Sequence, residues 1–161
     1  MTDEQQEITR HMSVLVGLEV SGVHHAADML TMQFGPLRPR TTFRGVAVQV
    51  GAWALHVQCG WCVEHKGKIV VDVSGLRGSA DLTARTIDQL GSLLVGPPPA
   101  TVEGISINAS GDMSITWSKT LRLIVTPDGM SGEEDWRLFA PGDNGNHFVI
   151  IGGKIDPDSL T

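Results

Sequence analysis

Apolar residues recur at helical spacing in two segments of the chain, at residues 3–16 and from about Asp81 to Val95. Residues three or four apart lie on one face of a helix, so each segment predicts an amphipathic helix. The apolar stripes are Ile8, Met12 and Leu15 in the first segment and Ile87, Leu90 and Leu94 in the second. We expect Ser79 or Asp81 to cap the second helix, and the Gly-Pro-Pro-Pro run at 96–99 to end it. Residues 96–100 are a candidate seam within a single domain that covers 1–161.

The other apolar residues mostly alternate with polar ones, which predicts strands with one buried face. The predicted strands are 18–23, 29–34, 46–50, 53–64, 68–73, 101–108, 113–117, 121–126, 136–139 and 148–151. Strands this close in sequence pair with their neighbours, so the sheet should be antiparallel. The predicted fold class is therefore α+β, an antiparallel β-sheet meander with two helices.

Four segments between the predicted elements are expected to be exposed and irregular. Residues 35–44 contain two prolines and three arginines and form the only basic segment of the chain. Residues 75–79 form a short glycine-containing loop, and residues 24–28 form a turn with two histidines. The acidic run Glu133-Glu134-Asp135 is expected in a loop beside Trp136, where it is either a solvated loop or a charged rim around an aromatic anchor.

Composition and charge narrow the functional classes. Of 161 residues, 41% are hydrophobic and 19% are charged, which is typical of a globular domain. The net charge is −6, and residues 121–161 supply −4 of it through seven acids and three bases. A chain this acidic repels phosphate backbones, so we expect no nucleic-acid partner and consider a basic protein partner more favourable.

The same features predict a cytoplasmic protein with no membrane partner. The first ten residues are polar and acidic and do not resemble a signal peptide. No segment approaches the ~18 apolar residues that a membrane span needs. Two cysteines are too few for a disulfide framework.

The residues His56, Cys59, Cys62 and His65 are the ligand types of a structural zinc site. On a single strand covering 53–64, however, the two histidines would lie roughly 30 Å apart. They could converge only if the chain turned back sharply at Gly60. We therefore predict no metal and no cofactor, with Cys59 buried as a small apolar residue and Cys62 facing outwards. A metal- or ligand-binding module or an enzyme that uses this region stays an alternative.

No catalytic residues are predicted. The segment 74–79 lacks the Gly-x-Ser-x-Gly pattern of a nucleophile elbow, and no phosphate-binding or dinucleotide-binding motif is present. His24, His25 and His147 are expected in exposed turns, where a histidine is usually only a polar residue. The oxygen-rich segment 143–146 lacks the closing glutamate of a calcium loop and predicts a turn.

Three segments, in this order along the chain, carry a family resemblance: Trp53–Trp61, the strand pair of Ile115–Pro127 with its V-x-P-D turn, and Asp135–Phe139 followed by Gly145–Gly152. They resemble a family of small bacterial proteins found beside polymorphic toxins, some of which serve as cognate immunity proteins. The resemblance implies a protein that blocks a toxin by steric and electrostatic complementarity and needs no activated groups.

The leading functional hypothesis is therefore an immunity or inhibitor protein that binds a cognate toxin domain and occludes its active site. The candidate contacts are Arg38, Arg40, Arg77, Asp128, Glu133, Glu134 and Asp135. A third hypothesis, beside the metal- or ligand-binding module, is a structural homo-oligomer, such as a homodimer, in which exposed strand edges pair across a two-fold axis.

Overall fold

The structure is a computed structural model that describes residues 2–142 and 145–160. It has the predicted α+β fold with antiparallel sheets. The helices are α1 (Asp3–Met12) and α2 (Ala80–Leu94), with 3₁₀ turns at Ser13–Leu15, Val73–Leu76 and Pro157–Leu160. The strands are β1 (Val20–Ala26), β2 (Met29–Phe34), β3 (Arg38–Thr41), β4 (Ala47–Val50), β5 (Trp53–Val57), β6 (Gly60–His65), β7 (Lys68–Asp72), β8 (Val102–Ile107), β9 (Met113–Trp117), β10 (Leu121–Thr126), β11 (Glu134–Phe139), β12 (Phe148–Ile151) and β13 (Lys154–Ile155).

Both helices begin at a side-chain cap. The Thr2 hydroxyl accepts a hydrogen bond from the Gln5 amide, and the Gln5 side chain accepts one from the Thr2 amide, which is a capping box. The Ser79 hydroxyl accepts from the Leu82 amide and so confirms the predicted cap of α2. The predicted stripes face the core, where Leu90 and Leu94 are fully buried.

The strands form two main sheets and one two-stranded ribbon. The six-stranded sheet has the order β1-β2-β5-β11-β12-β13, and the five-stranded sheet has the order β7-β6-β10-β9-β8. All pairings are antiparallel, and one hydrophobic core takes buried residues from both sheets and from residues on both sides of 96–100. No helix in the described ranges is both long and apolar enough to cross a membrane.

The predicted single strand at 53–64 is wrong, because the chain leaves one sheet and enters the other at Gln58 and Cys59. Strand β5 belongs to the six-stranded sheet and β6 to the five-stranded sheet. The amides of Gln58 and Cys59 both donate to the carbonyl oxygen of Asp135, at 2.8 and 3.1 Å. The alternation of buried and exposed residues continues through this crossing, so the pattern alone resembles one long strand.

The predicted loop at 35–44 is partly wrong, because residues 38–41 within it form β3, which pairs with β4 in an antiparallel ribbon. Arg38 pairs with Val50 and Thr41 with Ala47. This ribbon and its turn, residues 38–50, project between β2 and β5, and we call it the arm. Pro39 is tolerated because β3 pairs on one side only and needs no ladder donor on the other.

Other boundaries differ from the prediction in smaller ways. Strand β1 continues to Ala26, so His24 and His25 lie on an edge strand rather than in a turn. Strand β11 begins at Glu134, so Glu134 and Asp135 are not loop residues. The predicted turn at 143–146 falls partly on residues 143 and 144, which lie outside the described part of the chain.

Candidate functional site

The arm is the most exposed element of the fold and carries three arginines. Nearly all residues of its two strands are exposed. At its tip, the Phe43 side chain is 97% exposed, and the Arg44 guanidinium carbon lies 5.6 Å from the centre of the Phe43 ring. The arm therefore presents an aromatic ring and cationic groups, the residue types that dominate protein–protein contacts.

The base of the arm is held by tight contacts to β2. The Gln33 side chain donates to the Gln49 carbonyl oxygen at 3.4 Å and accepts from the Gly51 amide. A Cβ atom on Gly51 would lie 2.7 Å from the Phe34 carbonyl oxygen, so only glycine fits there. Because β2 and β5 pair directly below this point, the arm leaves the sheet at a fixed position.

A cleft of about 540 Å³ lies between the base of the arm and the turn at 140–142. Arg38, Arg40 and Val50 line it from the arm, and Pro141 lines it from the turn. Alternate residues of a strand point to one face, so the two arginines share the face that also carries their cross-strand partners Val48 and Val50. No ion pair within residues 2–142 and 145–160 engages either guanidinium.

Arg77 is the third predicted cationic contact, and it lies on a different segment. It follows the 3₁₀ turn before α2, and its Nε atom lies 3.9 Å from the Asp28 carboxylate at the β1–β2 turn. Both side chains are largely exposed, so this ion pair contributes little to stability.

The predicted acidic contacts separate into three environments. Asp128 and Glu133 are exposed and stay available to a partner. Glu134 forms an ion pair with Arg137 and accepts from the Gln58 amide group, and these hydrogen bonds hold the pKa of Glu134 below its usual value. Asp135 is only 2% exposed, so its carboxylate lies inside the fold, unlike the surface position that the sequence predicted.

Asp135 instead joins three segments of the chain. Its carboxylate accepts the Asp128 amide at 3.0 Å and the Gly153 amide at 2.7 Å. Its carbonyl oxygen accepts the two amides at the crossing between β5 and β6. The residue lies in a β-bulge, where β11 shifts register against β12 between Glu134 and Trp136. Its role is therefore structural.

Sequence reasoning also missed a polar cluster around Arg137 on the outer face of the six-stranded sheet. Arg137 lies across from His56, and its Nη1 atom is 2.9 Å from Nδ1 of His147. Because a guanidinium only donates, the His147 nitrogen must accept, which requires the neutral ring with its proton on Nε2. The Phe139 ring stacks on His147 at 4.2 Å and meets His56 edge-on at 4.8 Å.

Burial and the nearby Arg137 charge lower the pKa of both His56 and His147. Arg137 donates to both Glu134 and His147, and Glu134 neutralises the guanidinium. The sequence contains one signal for it, since Glu134 and Arg137 are three residues apart on either side of Trp136, and His147 directly precedes β12. Nothing in the sequence indicated that His56 would be opposite them.

The alternative metal site at His56, Cys59, Cys62 and His65 is not assembled. Within the described ranges, no three His, Cys, Asp or Glu side chains are placed to hold a metal ion. His56 faces outwards from one sheet, whereas Cys62 and His65 lie in the other. Cys59 is 1% exposed, and burial together with nearby Asp135 and Asp128 raises the pKa of its thiol to about 12. Cys62 is half-buried, and burial raises its thiol pKa as well.

Comparisons with protein-family models, with curated proteins and with solved structures find no match to this chain.

Proposed function

We propose that this chain is a binding protein of the immunity type, which inserts its arm into a cognate toxin domain and occludes the active site of that domain. The observation that carries the proposal is the 97% exposure of Phe43 at the tip of the arm. The toxin as partner rests on the family resemblance of the sequence.

The energetics of the arm support a binding role. A two-stranded ribbon is marginally stable in water by itself, and the arm has little burial to compensate for this. Burying a phenylalanine side chain contributes about 1.5–3 kcal/mol relative to leaving it exposed. A partner that buries Phe43 would therefore gain about this much binding free energy. A base held by hydrogen bonds to Gln33, a projecting tip and the arginines along the arm suit insertion into a cleft of another protein.

The test uses the polypeptide encoded next to this chain in its genome. Binding would be measured by isothermal titration calorimetry, and neutralisation by growth of cells that express both proteins. We expect Phe43→Ala to weaken binding about 30-fold, because about 2 kcal/mol of apolar burial is lost. Ile69→Ala is the matched control, since Ile69 is 61% exposed on β7 and lies outside the arm.

Two results would count against the proposal. If the neighbouring protein is neither bound nor neutralised, the immunity function fails. If it is bound equally by the wild-type chain and by Phe43→Ala, the arm is not the contact. Because Phe43 is 97% exposed, the variant should keep the wild-type unfolding midpoint, which excludes loss of folding as the cause.

A further inference from the structure

We infer that the cleft at the base of the arm binds an extended acidic segment with two carboxylates at alternate positions, in the pattern Asp/Glu-x-Asp/Glu. The inference rests on the proposed function only in assigning this segment to the protein that the arm binds. It reverses the expectation of a basic partner, which came from the net charge of the whole chain.

The spacing of the two arginines carries the argument. Arg38 and Arg40 are two residues apart on β3 and point to the same face. Two residues of a strand span about 6.6–6.8 Å, and an extended peptide repeats its side chains at the same interval. A segment lying along β3 can therefore place one carboxylate against each guanidinium, a geometry in which each pair can form two parallel hydrogen bonds.

The charge of the cleft is uncompensated within the described part of the chain. Neither guanidinium has an ion-pair partner there, whereas the Arg10 and Arg137 guanidinium groups are each paired with a glutamate. An incoming carboxylate therefore displaces no ion pair among those residues. The turn at 140–142 closes the other side, and a Cβ atom on Gly142 would lie 3.7 Å from Cδ of Arg40.

The apolar part of the lining favours a peptide over a free anion. Val50 and Pro141 contribute apolar surface beside the guanidinium groups. The volume of about 540 Å³ lies within the range of clefts that hold small ligands or short segments, and is far larger than one phosphate needs. The methylene groups of glutamate side chains can cover the two apolar residues, which an inorganic anion cannot do.

The experiment needs no knowledge of the partner. The Nε–H signals of the arginines would be followed by NMR at low ionic strength while a capped Ala-Glu-Ala-Glu-Ala peptide is added. We expect saturable shifts at Arg38 and Arg40 and at least tenfold weaker binding for the glutamine counterpart, for a peptide with two adjacent glutamates and for inorganic phosphate. We expect Arg38→Gln and Arg40→Gln each to weaken binding about tenfold, and Arg85→Gln, an exposed arginine on α2, to leave it unchanged.

Equal binding of the spaced and adjacent glutamate peptides would overturn the inferred pattern. Binding of phosphate as strong as that of the peptide would reduce the cleft to a general anion site and overturn the inference. Wild-type affinity for the peptide in the Arg38→Gln and Arg40→Gln variants, followed at the arginine that remains, would overturn it as well. The outcome is separable from the proposed function. If the peptide binds at Arg38 and Arg40 but the neighbouring protein is not recognised, only the proposed immunity function is refuted. If the neighbouring protein binds the Arg38→Gln and Arg40→Gln variants as tightly as the wild-type chain, only this inference is refuted.

Discussion

Replacing Asp135 should destabilise the fold strongly, although the residue belongs to an acidic run that the sequence places on the surface. The carboxylate accepts the amides of Asp128 and Gly153 from inside the protein, at 3.0 and 2.7 Å. Asp135→Ala removes both acceptors and leaves two partly buried amides without a partner. A donor left in this state costs about 1–3 kcal/mol, and water can reach the exposed Asp128 segment, so we expect a loss of about 2–4 kcal/mol in the free energy of unfolding.

The assay is urea denaturation followed by tryptophan fluorescence, since Trp136 is buried next to the substituted residue. The expected signature is a lower midpoint with an unchanged slope, because the surface exposed on unfolding stays the same. In thermal unfolding the loss corresponds to about 5–15 °C at this chain length. Asp135→Asn keeps one acceptor oxygen and should cost about half as much.

Glu133→Ala is the matched control, because Glu133 is an exposed acid two positions away and should change stability by no more than about 0.5 kcal/mol. The reasoning is refuted if Asp135→Ala unfolds at the same urea concentration as Glu133→Ala. That result would mean that the Asp128 and Gly153 amides are equally well hydrated when the carboxylate is absent.

Two further predictions concern the polar cluster and the cysteines. Because His56 and His147 have lowered pKa values in the folded state, the unfolded chain binds more protons below about pH 6.5, so the free energy of unfolding should fall as pH drops from about 6.5 towards 5. His147→Asn keeps a hydrogen-bond acceptor that does not titrate, so the free energy of unfolding, measured by urea denaturation at several pH values, should depend less on pH. A stability that rises on acidification would contradict the lowered pKa values of the two histidines. A thiol reagent at about pH 8 should modify Cys62 and spare Cys59, whose pKa of about 12 leaves roughly one thiolate in ten thousand. Mass spectrometry of the native chain would disprove this if both cysteines react at similar rates, and Cys62→Ala serves as the control that should react only in urea.

The sequence predicted the elements well where a local signal decides the structure. The cap of α2, the helical stripes and the strands β9, β10 and β12 follow from side-chain spacing and capping chemistry. The division into two sheets does not, because it depends on the distant Asp135, whose carbonyl oxygen ends β5. An alternation of buried and exposed residues does not indicate which strand lies alongside. Because the alternation continues unbroken where the chain passes from one sheet to the other, the sequence pattern does not reveal the crossing.

The arm shows the same limit in another form. Prolines normally argue against a strand, but this argument holds for a strand with partners on both sides. Strand β3 has one partner, so Pro39 forfeits no ladder bond, and the alternation of Arg38 and Arg40 was a valid strand signal. The prolines of residues 35–44 therefore indicate a loop, although the alternation of Arg38 and Arg40 correctly indicates a strand.

The charge that the arm presents depends on which charged side chains have ion-pair partners in the fold, and not on the net charge of the sequence. The chain carries a net charge of −6, and residues 121–161 contain seven of its acids. Two of these, Glu134 and Asp135, already bond to groups of the fold, to Arg137 and to the Gly153 amide, respectively. The two arginines of the cleft have no ion-pair partner in the described part of the chain, and they lie on the same arm that carries the exposed Phe43 at its tip. A partner docking on the arm meets this local field first, because charges more than a Debye length away are screened in physiological salt. The arm should therefore select an acidic surface even though the protein as a whole is acidic, and raising the salt concentration should weaken its binding.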